Sequence, residues 1–529
     1  MDLVTRVDEL AAQFPDKPAF IFSDKPDHWD TFTYRQLADL TIRLTRGLQA
    51  CSLRPGMRAA LMTPPSVEFF GLALALLKTG ILPVVLDPAI GLKNVAECLE
   101  EARPEIFLGN LLTHALRLVF GWGKESLKHY LTIPQTLNNS SLVTHHFTLD
   151  THYSRLDPAA VIYTSGSTGL PKGALYTHGN FAAQLDMLVC TFNIQPDEID
   201  LPAFPLYALI DVLVGATAVI PDIHFPVPGK VDAARTLSAI QKYGVTNMFG
   251  SPVVLDRLAT YGVPRKIKLP SPRRVITAGA PAPFRVQEKF RKLLPEDACL
   301  FGVYGATETL PISVIESSEV LTQTRHRSAR GAGICIGRAV DGAEVRVIEI
   351  SDSPIDGWHD SLEVPVDQIG EITVQGPAVT RTYIHREDAN RLSKIKMGDD
   401  VIHRTGDVGY FDEDGRLWYC GRKSQRVETD DGVFFTEQIE GIFNAHPSVY
   451  RSALVGVDRR PVLWIELEPH ARRRNKEKLK CELIELARNH PQALKIKTFL
   501  FMRKFPTDVR HNSKIIREKL AQIAKNKSV

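Results

Sequence analysis

The chain has 529 residues, which is too many for one ordinary hydrophobic core, so we expect at least two domains. Hydrophobic residues make up 44% and charged residues 24% of the sequence, a balance typical of globular proteins. The 64 Lys and Arg residues against 61 Asp and Glu residues leave a net charge of +3, which is too small to indicate nucleic acid as the main partner.

Cysteine spacing and hydropathy indicate the compartment. The 7 cysteines lie far apart without a CxxC pair, so neither a zinc site nor a dithiol is indicated. Residues Met1 to Phe14 mix charged and apolar side chains and do not resemble a signal peptide, and an odd cysteine count then predicts a cytoplasmic protein. The most apolar stretch is interrupted by charged, glycine and proline residues. It predicts a helix, Val67 to Thr79, and then a strand, Ile81 to Leu86, rather than a membrane span.

Helical patterns alternate with short apolar runs from the N-terminus to about residue 320. This alternation predicts an α/β fold whose large N-terminal domain contains doubly wound parallel sheets. The predicted elements of this part include the strands Ala59–Thr63, Leu82–Asp87, Ala160–Thr164, Ala218–Pro221, Val245–Phe249 and Arg274–Ala278, and the helices Tyr34–Ala50 and Ala233–Tyr243.

The pattern changes at about Gly331, where short alternating strands and turns predict a small β subdomain. We place a domain boundary near Gly421. The predicted organisation is an N-terminal domain over residues 1–420, including the β subdomain at about 331–420, and a smaller, mobile α+β C-terminal domain over residues 421–529. The predicted elements are the strands Ala343–Glu349, Gly370–Gln375, Leu417–Cys420, Arg451–Val457 and Val462–Leu467, and helices near Thr436–Asn444 and Ile515–Ala524.

A loop rich in glycine and hydroxyl side chains, Tyr163 to Gly173, begins at the end of a predicted strand. Its three glycines allow main-chain N–H groups to approach an anion closely, and a lysine adds a cation. This composition suits a triphosphate, although the Gly-Lys-Ser/Thr of a Walker motif is missing and a flexible Gly/Ser turn is the alternative. The candidate ATP-binding residues here are Thr164, Ser165, Gly166, Ser167, Thr168, Gly169 and Lys172.

This loop resembles the phosphate-loop signature of the adenylate-forming superfamily, which contains acyl-CoA synthetases, nonribosomal-peptide adenylation domains and firefly luciferase. The resemblance extends over nearly the whole chain in the family's order. Early in the sequence, Thr33–Leu37 and Arg54–Leu61 look like the family's first helix and strand. The resemblance implies that ATP and Mg²⁺ activate a carboxylic acid as an acyl adenylate.

Two motifs after predicted strands look like the adenine and magnesium sites of that family. Gly279, Ala280 and Pro281 offer a flat backbone surface for a purine, although Gly-Ala-Pro is also an ordinary turn. The second motif is Gly302–Glu308, whose Gly305 belongs to the ATP site. In it Tyr304 supplies an aromatic face for adenine, Thr307 a hydroxyl for the α-phosphate and Glu308 a carboxylate for Mg²⁺. A helix-start capping pair is the alternative for Thr307 and Glu308.

The resemblance assigns three further residues in the second half of the chain. Asp407, in Arg404–Asp407, is expected to accept hydrogen bonds from two ribose hydroxyls, and Arg422 to reach the ribose as well. Lys514 occupies the place of the family's final lysine, where its ammonium would bridge the attacking carboxylate and the α-phosphate. The alternative for Asp407 is a structural Gly-Asp turn, and the alternative for Lys514 is a solvated lysine near the C-terminus. The catalytic residues implied are thus Lys514, Thr307 and Glu308.

The sequence departs from the family pattern at three places. The C-terminal motif ends in Arg510–Lys514 instead of the usual Thr-x-Ser-Gly-Lys. The hinge position is Ser424, and the segment Gln425–Gly432 is more acidic than usual, which disfavours the phosphates of coenzyme A. In the substrate pocket, next to Tyr207, Ala208 stands where relatives often carry His or an aromatic residue, so we expect more room beside the reacting carboxylate.

These departures, together with Phe120–Gly123, resemble the β-lactone synthetases of bacterial olefin biosynthesis, often described as fatty-acid–CoA ligases. The subfamily's reaction implies a long-chain 2-alkyl-3-hydroxy acid that is activated as acyl-AMP and then closed to a β-lactone. It needs no second substrate and leaves room for an assembly with other enzymes of the pathway. The alternatives are a fatty-acid–CoA ligase, which would use coenzyme A, and a non-catalytic nucleotide-binding scaffold.

Overall fold

The computed structural model of the chain describes residues 2–25, 28–87, 90–132, 153–163, 171–204, 206–221, 227–430, 432–507 and 514–527.

Strands are found from Pro18 to Met502. In chain order they are β1 (Pro18–Lys25), β2 (His28–Thr33), β3 (Arg58–Met62), β4 (Leu82–Val85), β5 (Ile106–Gly109), β6 (His129–Thr132), β7 (Pro158–Tyr163), β8 (Gly173–Thr177), β9 (Ile199–Pro202), β10 (Thr217–Ile220), β11 (Asn247–Phe249), β12 (Arg274–Thr277), β13 (Cys299–Ala306), β14 (Thr309–Glu316), β15 (Ile334–Ala339), β16 (Glu344–Ile348), β17 (Gly370–Gln375), β18 (Lys394–Met397), β19 (Asp400–Phe411), β20 (Leu417–Arg422), β21 (Val427–Thr429), β22 (Gly432–Phe434), β23 (Val449–Val457), β24 (Arg460–Leu467) and β25 (Thr498–Met502).

Helices alternate with most of these strands. In chain order they are α1 (Arg6–Gln13), α2 (Tyr34–Ala50), α3 (Val67–Thr79), α4 (Leu92–Ala102), α5 (Leu111–Phe120), α6 (His178–Phe192), α7 (Tyr207–Val214), α8 (Ala233–Tyr243), α9 (Pro252–Gly262), α10 (Phe284–Arg291), α11 (Ser317–Glu319), α12 (Arg325–Ser328), α13 (Glu387–Ser393), α14 (Thr436–Asn444), α15 (Lys476–Arg488) and α16 (Arg517–Lys525).

The largest sheet has 14 strands among the described residues, in the order β16-β17-β19-β20-β15-β14-β13-β12-β11-β9-β10-β1-β2, with β18 beside β19. Its central strands from β1 to β13 run parallel. A second sheet, β6-β5-β3-β4-β7-β8, is parallel except for the last pair. Parallel sheets with intervening helices confirm the predicted α/β fold class.

The first two predicted helices connect the two sheets. The apolar helix α3 has the predicted bounds: Ser66 caps its first turn by accepting a hydrogen bond from Phe69 N at 3.2 Å, and Gly80 ends it with a φ of +67°. One hydrophobic cluster contains Phe20 of β1, Leu37 of α2 and Phe70 of α3 together with strands of the second sheet. The stretch Val67 to Thr79 is therefore a core helix, which confirms the prediction.

The predicted β subdomain corresponds to β15–β20, whose strands pair in antiparallel fashion. Residues beyond it form clusters of their own around a three-stranded sheet, β23-β24-β25. The last helix, α16, begins at Arg517, two residues after its predicted start. Within the described parts of the chain, no helix has the length and apolar character needed to cross a bilayer.

Candidate active site

The predicted phosphate loop lies mostly outside the described residues. This holds for Thr164, Ser165, Gly166, Ser167, Thr168 and Gly169. Lys172, at the end of the loop, is described and directly precedes β8. Its Nζ atom lies 5.2 Å from the ring centroid of Tyr383. Burial lowers the pKa of Lys172, whereas the Glu308 carboxylate opposes that change.

Tyr383 reaches this place through long-range backbone pairing. Leu175 N donates to Thr382 O at 3.0 Å, and Ile384 N donates to Gly173 O at 2.9 Å. This bridge attaches the segment around Tyr383 to the edge of β8. Sequence reasoning missed Tyr383, and no local pattern marks it, because only a contact across more than 200 residues brings it to the site.

Glu308 lies in the turn between β13 and β14 and faces Tyr383. The Tyr383 hydroxyl donates a hydrogen bond to Glu308 Oε1, and Thr380 N donates to the Glu308 carbonyl oxygen at 2.8 Å. The Thr307 carbonyl oxygen accepts a hydrogen bond from the Tyr176 hydroxyl. The helix-start alternative for Thr307 and Glu308 is wrong, since both residues lie between two strands.

Two further basic residues lie beneath Glu308 and were not predicted. Lys394, which is buried, donates through Nζ to the Thr380 carbonyl oxygen and lies 5.5 Å from the Tyr383 ring centroid. Burial lowers the pKa of Lys394 to about 7. Burial works against ionisation of Glu308, but the hydrogen bond from the Tyr383 hydroxyl and the ammonium of Lys394 oppose it, and the pKa of Glu308 is lowered. Burial lowers the pKa of the neighbouring His403 to about 3, so its ring is neutral near pH 7. The carboxylate is therefore held ionised, as a divalent cation requires.

Asp407 and Arg422 face each other across the β19–β20 pair, and Tyr304 joins them from β13. The Tyr304 hydroxyl donates to Asp407 Oδ2 at 2.7 Å, and Arg422 Nε lies 3.0 Å from Asp407 Oδ1. Asp407 is 5% exposed, and its Oδ1 has no hydrogen-bond partner with acceptable geometry among the described residues. Oδ1 is thus paired with the Arg422 charge but accepts no well-aligned hydrogen bond, and its remaining lone pair fits a hydroxyl-bearing ligand such as a ribose.

The predicted purine surface lies at the exposed end of β12. Gly279 adopts a φ of +89°, which glycine accepts without strain, and both Gly279 and Pro281 are exposed while Ala280 is half-buried. Gly305 in β13 leaves no room for a side chain: a Cβ atom there would lie 2.5 Å from Leu310 Cδ1. The strand carrying Tyr304 therefore packs tightly against the neighbouring β14.

Lys514 is brought to the same side of the molecule as Asp407. Burial raises the pKa of Asp407, and the Arg422, Tyr304 and Lys514 side chains oppose that rise. The backbone around Lys514 is fixed by a bridge between Thr507 and Ile515. Residues Arg510 to Ser513, which precede it, lie outside the described residues.

Ser424 is exposed in a single helical turn, Lys423–Gln425, directly after β20. The acidic segment after it is largely paired with arginines: Arg426 Nη2 lies 2.8 Å from Glu428 Oε1, and Arg459 Nε lies 2.8 Å from Asp430 Oδ1. These ion pairs reduce the negative field that the sequence indicated. Asp431 lies outside the described residues.

The two residues of the predicted substrate pocket differ in burial. Tyr207 lines a small cavity of about 20 Å³ and stacks on Phe249 with ring centroids 3.8 Å apart. Ala208 is fully buried in the core and does not line this cavity. The floor of the cavity is acidic, because Asp200 and Asp211 lie side by side there.

We expect that acid pair to make the protein less stable as the pH rises. Burial raises the pKa of Asp200 to about 7. The folded protein therefore keeps a proton between about pH 4 and 7 that the unfolded chain releases, and the free energy of unfolding falls across this window. In Asp211→Asn the amide can donate a hydrogen bond to the ionised Asp200. Between about pH 5.5 and 8 the melting temperature of this variant should therefore fall by less than that of the wild type, with a difference of about 2 °C or more. Calorimetry with the exposed Asp399→Asn as control tests this; equal pH dependence of all three proteins would contradict it.

Comparisons with known proteins identify the family of the chain. The sequence profile of the family described as AMP-binding enzyme matches residues 7–384, more than half of the chain. The chain belongs to the AMP-binding enzyme family. This AMP-binding enzyme is 41% identical over 508 residues to the olefin beta-lactone synthetase of Xanthomonas campestris, covering 93% of this chain and 90% of that protein. It is 40% identical to the olefin beta-lactone synthetase of Stenotrophomonas maltophilia, covering 98% of this chain and 97% of that protein.

Among solved structures, the AMP-binding enzyme resembles o-succinylbenzoate coenzyme A synthetase of Bacillus subtilis in complex with ATP and magnesium ion. The TM-score is 0.78 at 21% identity, over 98% of this chain and 99% of that chain. This match confirms the fold over essentially the whole length.

Proposed function

We propose that the protein uses ATP and Mg²⁺ to activate a long-chain 2-alkyl-3-hydroxy acid as an acyl adenylate and then closes it to a β-lactone. The observation that carries this proposal is the near full-length similarity to two olefin beta-lactone synthetases at 40–41% identity. The arrangement of Asp407, Glu308 and Lys514 around one site supports the first half-reaction.

In this proposal the nucleotide is held by residues from four segments. Asp407 Oδ1, which is ion-paired with Arg422 at 3.0 Å but accepts no well-aligned hydrogen bond, accepts from the ribose hydroxyls. The adenine lies between the Gly279–Pro281 surface and the Tyr304 ring. The phosphates are bound by the loop Thr164–Gly169 and by Lys172.

Glu308 is the proposed magnesium ligand, and its ionised state fits that role. Bound there, Mg²⁺ would neutralise phosphate charge as pyrophosphate departs. Tyr383 orients the Glu308 carboxylate through its hydroxyl, and Thr380 fixes the main chain of the turn. In this proposal the Thr307 hydroxyl donates to the α-phosphate.

Lys514 carries the first half-reaction in this proposal. The substrate carboxylate attacks the α-phosphorus, and the Lys514 ammonium lies between the two anions and stabilises the charge that develops. The position of Lys514 within the field of Asp407 supports this role. We propose residues 421–529 as a lid domain that delivers the lysine, with Ser424 as its hinge.

In the second half-reaction the substrate's own 3-hydroxyl oxygen attacks the activated carbonyl carbon. A C–O bond forms, the bond from carbonyl carbon to the AMP oxygen breaks, AMP leaves with the bonding electrons, and the hydroxyl proton passes to solvent or a base. Because the attack is intramolecular, its effective molarity can reach about 10⁵ M or more, and this gain together with cleavage of the mixed anhydride offsets the strain of the four-membered ring. One alkyl chain would enter beside Tyr207, where the small Ala208 lets α7 pack closely.

Coenzyme A decides between this function and a fatty-acid–CoA ligase. The protein should be incubated with ATP, Mg²⁺ and a racemic 2-alkyl-3-hydroxy acid, with and without coenzyme A. AMP and a β-lactone carbonyl signal without coenzyme A are the expected result, whereas a thioester formed only with coenzyme A would support the ligase. Release of neither AMP nor pyrophosphate would indicate a non-catalytic scaffold.

A further inference from the structure

Glu308, the proposed magnesium ligand, is fixed by two hydrogen bonds from one segment of the chain. Thr380 N donates to the Glu308 carbonyl oxygen at 2.8 Å, and the Tyr383 hydroxyl donates to Glu308 Oε1. Both donors lie in the segment between β17 and α13, which is bridged to β8 at Tyr383. The two residues are 0% and 3% exposed. The position of the carboxylate therefore depends on what supports this segment from inside the protein.

One side chain, that of Lys394, contacts both of these donors. Its Nζ atom donates to the Thr380 carbonyl oxygen, lies 3.5 Å from Thr380 Oγ1, and lies 5.5 Å from the centroid of the Tyr383 ring. Lys172, from the proposed triphosphate site, lies 5.2 Å from the same ring centroid. Cations at such distances from an aromatic ring are attracted to it. Lys394 thus reaches both supports of Glu308, the main chain at one and the aromatic ring at the other.

The hydrogen bond from Lys394 to Thr380 does not depend on the charge of the amino group. Lys394 is 8% exposed, and a buried amino group is costly unless its N–H groups are paired. Burial lowers the pKa of Lys394, and the field of Glu308 opposes this change. The ammonium and the neutral amine both carry N–H donors, so either form can donate to the Thr380 carbonyl oxygen. The support of the segment is therefore present across the pH range near neutrality.

We propose that Lys394 is a positioning residue for Glu308, which it holds in the orientation that binds the Mg²⁺ of the nucleotide. It acts through Thr380 and Tyr383, and its own buried side chain does not bind the nucleotide. This inference rests on the proposed function, in which Glu308 is the magnesium ligand. Removing a group that orients a metal ligand typically costs about 10–100-fold in metal affinity or activity. A lysine with only a structural role would instead affect stability, without changing how nucleotide binding depends on the metal.

Binding of α,β-methylene-ATP, which cannot release pyrophosphate, tests the proposal on the full-length protein without turnover. Its dissociation constant is measured by calorimetry in EDTA and in saturating Mg²⁺, and the ratio of the two constants, here called the metal ratio, reports what Mg²⁺ contributes to binding. Lys394→Met nearly keeps the length of the side chain but removes its N–H donors. In this variant the metal ratio should fall about tenfold, while the affinity in EDTA stays at the wild-type value.

Two further variants separate positioning from a general loss of stability. Lys78→Met is the matched control, because Lys78 is 6% exposed and its Nζ atom donates to Asp8 of α1. It removes a buried, hydrogen-bonded lysine and should leave the metal ratio unchanged. Tyr383→Phe removes the hydroxyl that donates to Glu308. Because both groups act on one carboxylate, combining it with Lys394→Met should lower the metal ratio by less than the product of the two single effects.

A metal ratio in Lys394→Met equal to that of wild type, or lowered no more than in Lys78→Met, overturns the inference. If Lys394→Met does not fold, Lys394→Gln takes its place; its side chain is one bond shorter, so it should also lower the metal ratio, and an unchanged ratio counts against the inference in the same way. A wild-type metal ratio of one would contradict the magnesium step of the proposed function itself. A wild-type ratio well above one that Lys394→Met retains would keep the proposed function and remove only this role of Lys394.

Discussion

Lys514→Ala is expected to slow pyrophosphate release about 10²–10³-fold while ATP binding stays nearly unchanged. In the proposed mechanism the ammonium acts where charge develops between the carboxylate and the α-phosphate, so its loss should raise the barrier more than it weakens the ground state. The proposed ribose contacts of Asp407 and Arg422 would remain. Pyrophosphate release is followed by a coupled assay, and ATP affinity by calorimetry.

The control for this variant is Lys519→Ala, which removes an exposed lysine from α16, five positions further along the chain. It should release pyrophosphate at the wild-type rate. If Lys514→Ala also does so, the lysine is misassigned. If ATP affinity falls as steeply as the rate, the side chain contributes ground-state binding instead.

Glu371→Gln is expected to lower the free energy of unfolding by about 3–5 kcal/mol. Glu371 is 1% exposed, and its Oε2 atom accepts from Arg404 Nη2 at 2.6 Å and from Lys423 Nζ at 2.9 Å. A neutral amide would leave two cations inside the β subdomain without their counter-ion. Because Arg404 precedes the Asp407 turn and Lys423 precedes the hinge position, the loss would also loosen the nucleotide site.

Glu485→Gln provides the matched comparison, since Glu485 pairs with Arg488 at 3.0 Å on an exposed face of α15. An exposed ion pair contributes little, so this variant should change stability by less than about 1 kcal/mol. Chemical denaturation of both variants measures the difference. A Glu371→Gln protein as stable as Glu485→Gln would mean that water or a backbone shift replaces the buried carboxylate.

Periodicity predicted much of the fold because many elements are regular and amphipathic. The bounds of α2, α8, α14 and β17 agree with their predicted ranges, and the start of β11 differs by two residues. Such patterns reflect which face of an element is buried, and that information is local to the sequence. Strand order depends on contacts between distant segments, so the sequence predicted the class of the sheets but not their order.

The residues of the candidate site fall into the same two groups, those marked by a local motif and those brought in by contacts between distant segments. Tyr304, Asp407 and Arg422 lie in short motifs that could be read from the sequence, and the structure brings the three together. Tyr383 and Lys394 carry no local signature, because they reach Glu308 only through pairing of their segment with β8 and β19.

Two expectations about the surroundings of the site changed for physical reasons. Burial of Ala208 follows from the packing of α7, which residue size alone does not predict. The acidic segment after Ser424 acquires arginine partners, Arg426 and Arg459, and the second of these comes from a later hairpin. Charge counted along the sequence therefore overstated the field that an approaching phosphate would meet.

In the proposed substrate pocket, the stack of Tyr207 on Phe249 has a consequence for which acids the enzyme would accept. With the cavity closed to about 20 Å³, an alkyl chain entering there would first have to separate the two rings, and the apparent affinity would be reduced by the rarity of the opened form. Each methylene group that is then buried contributes about 0.8 kcal/mol of favourable binding free energy. Short acids cannot recover the cost of opening, so we expect a threshold in chain length, visible as a break in kcat/KM across a homologous series. The closed pocket would in this way select against small carboxylic acids through the cost of opening alone, without a residue that repels them.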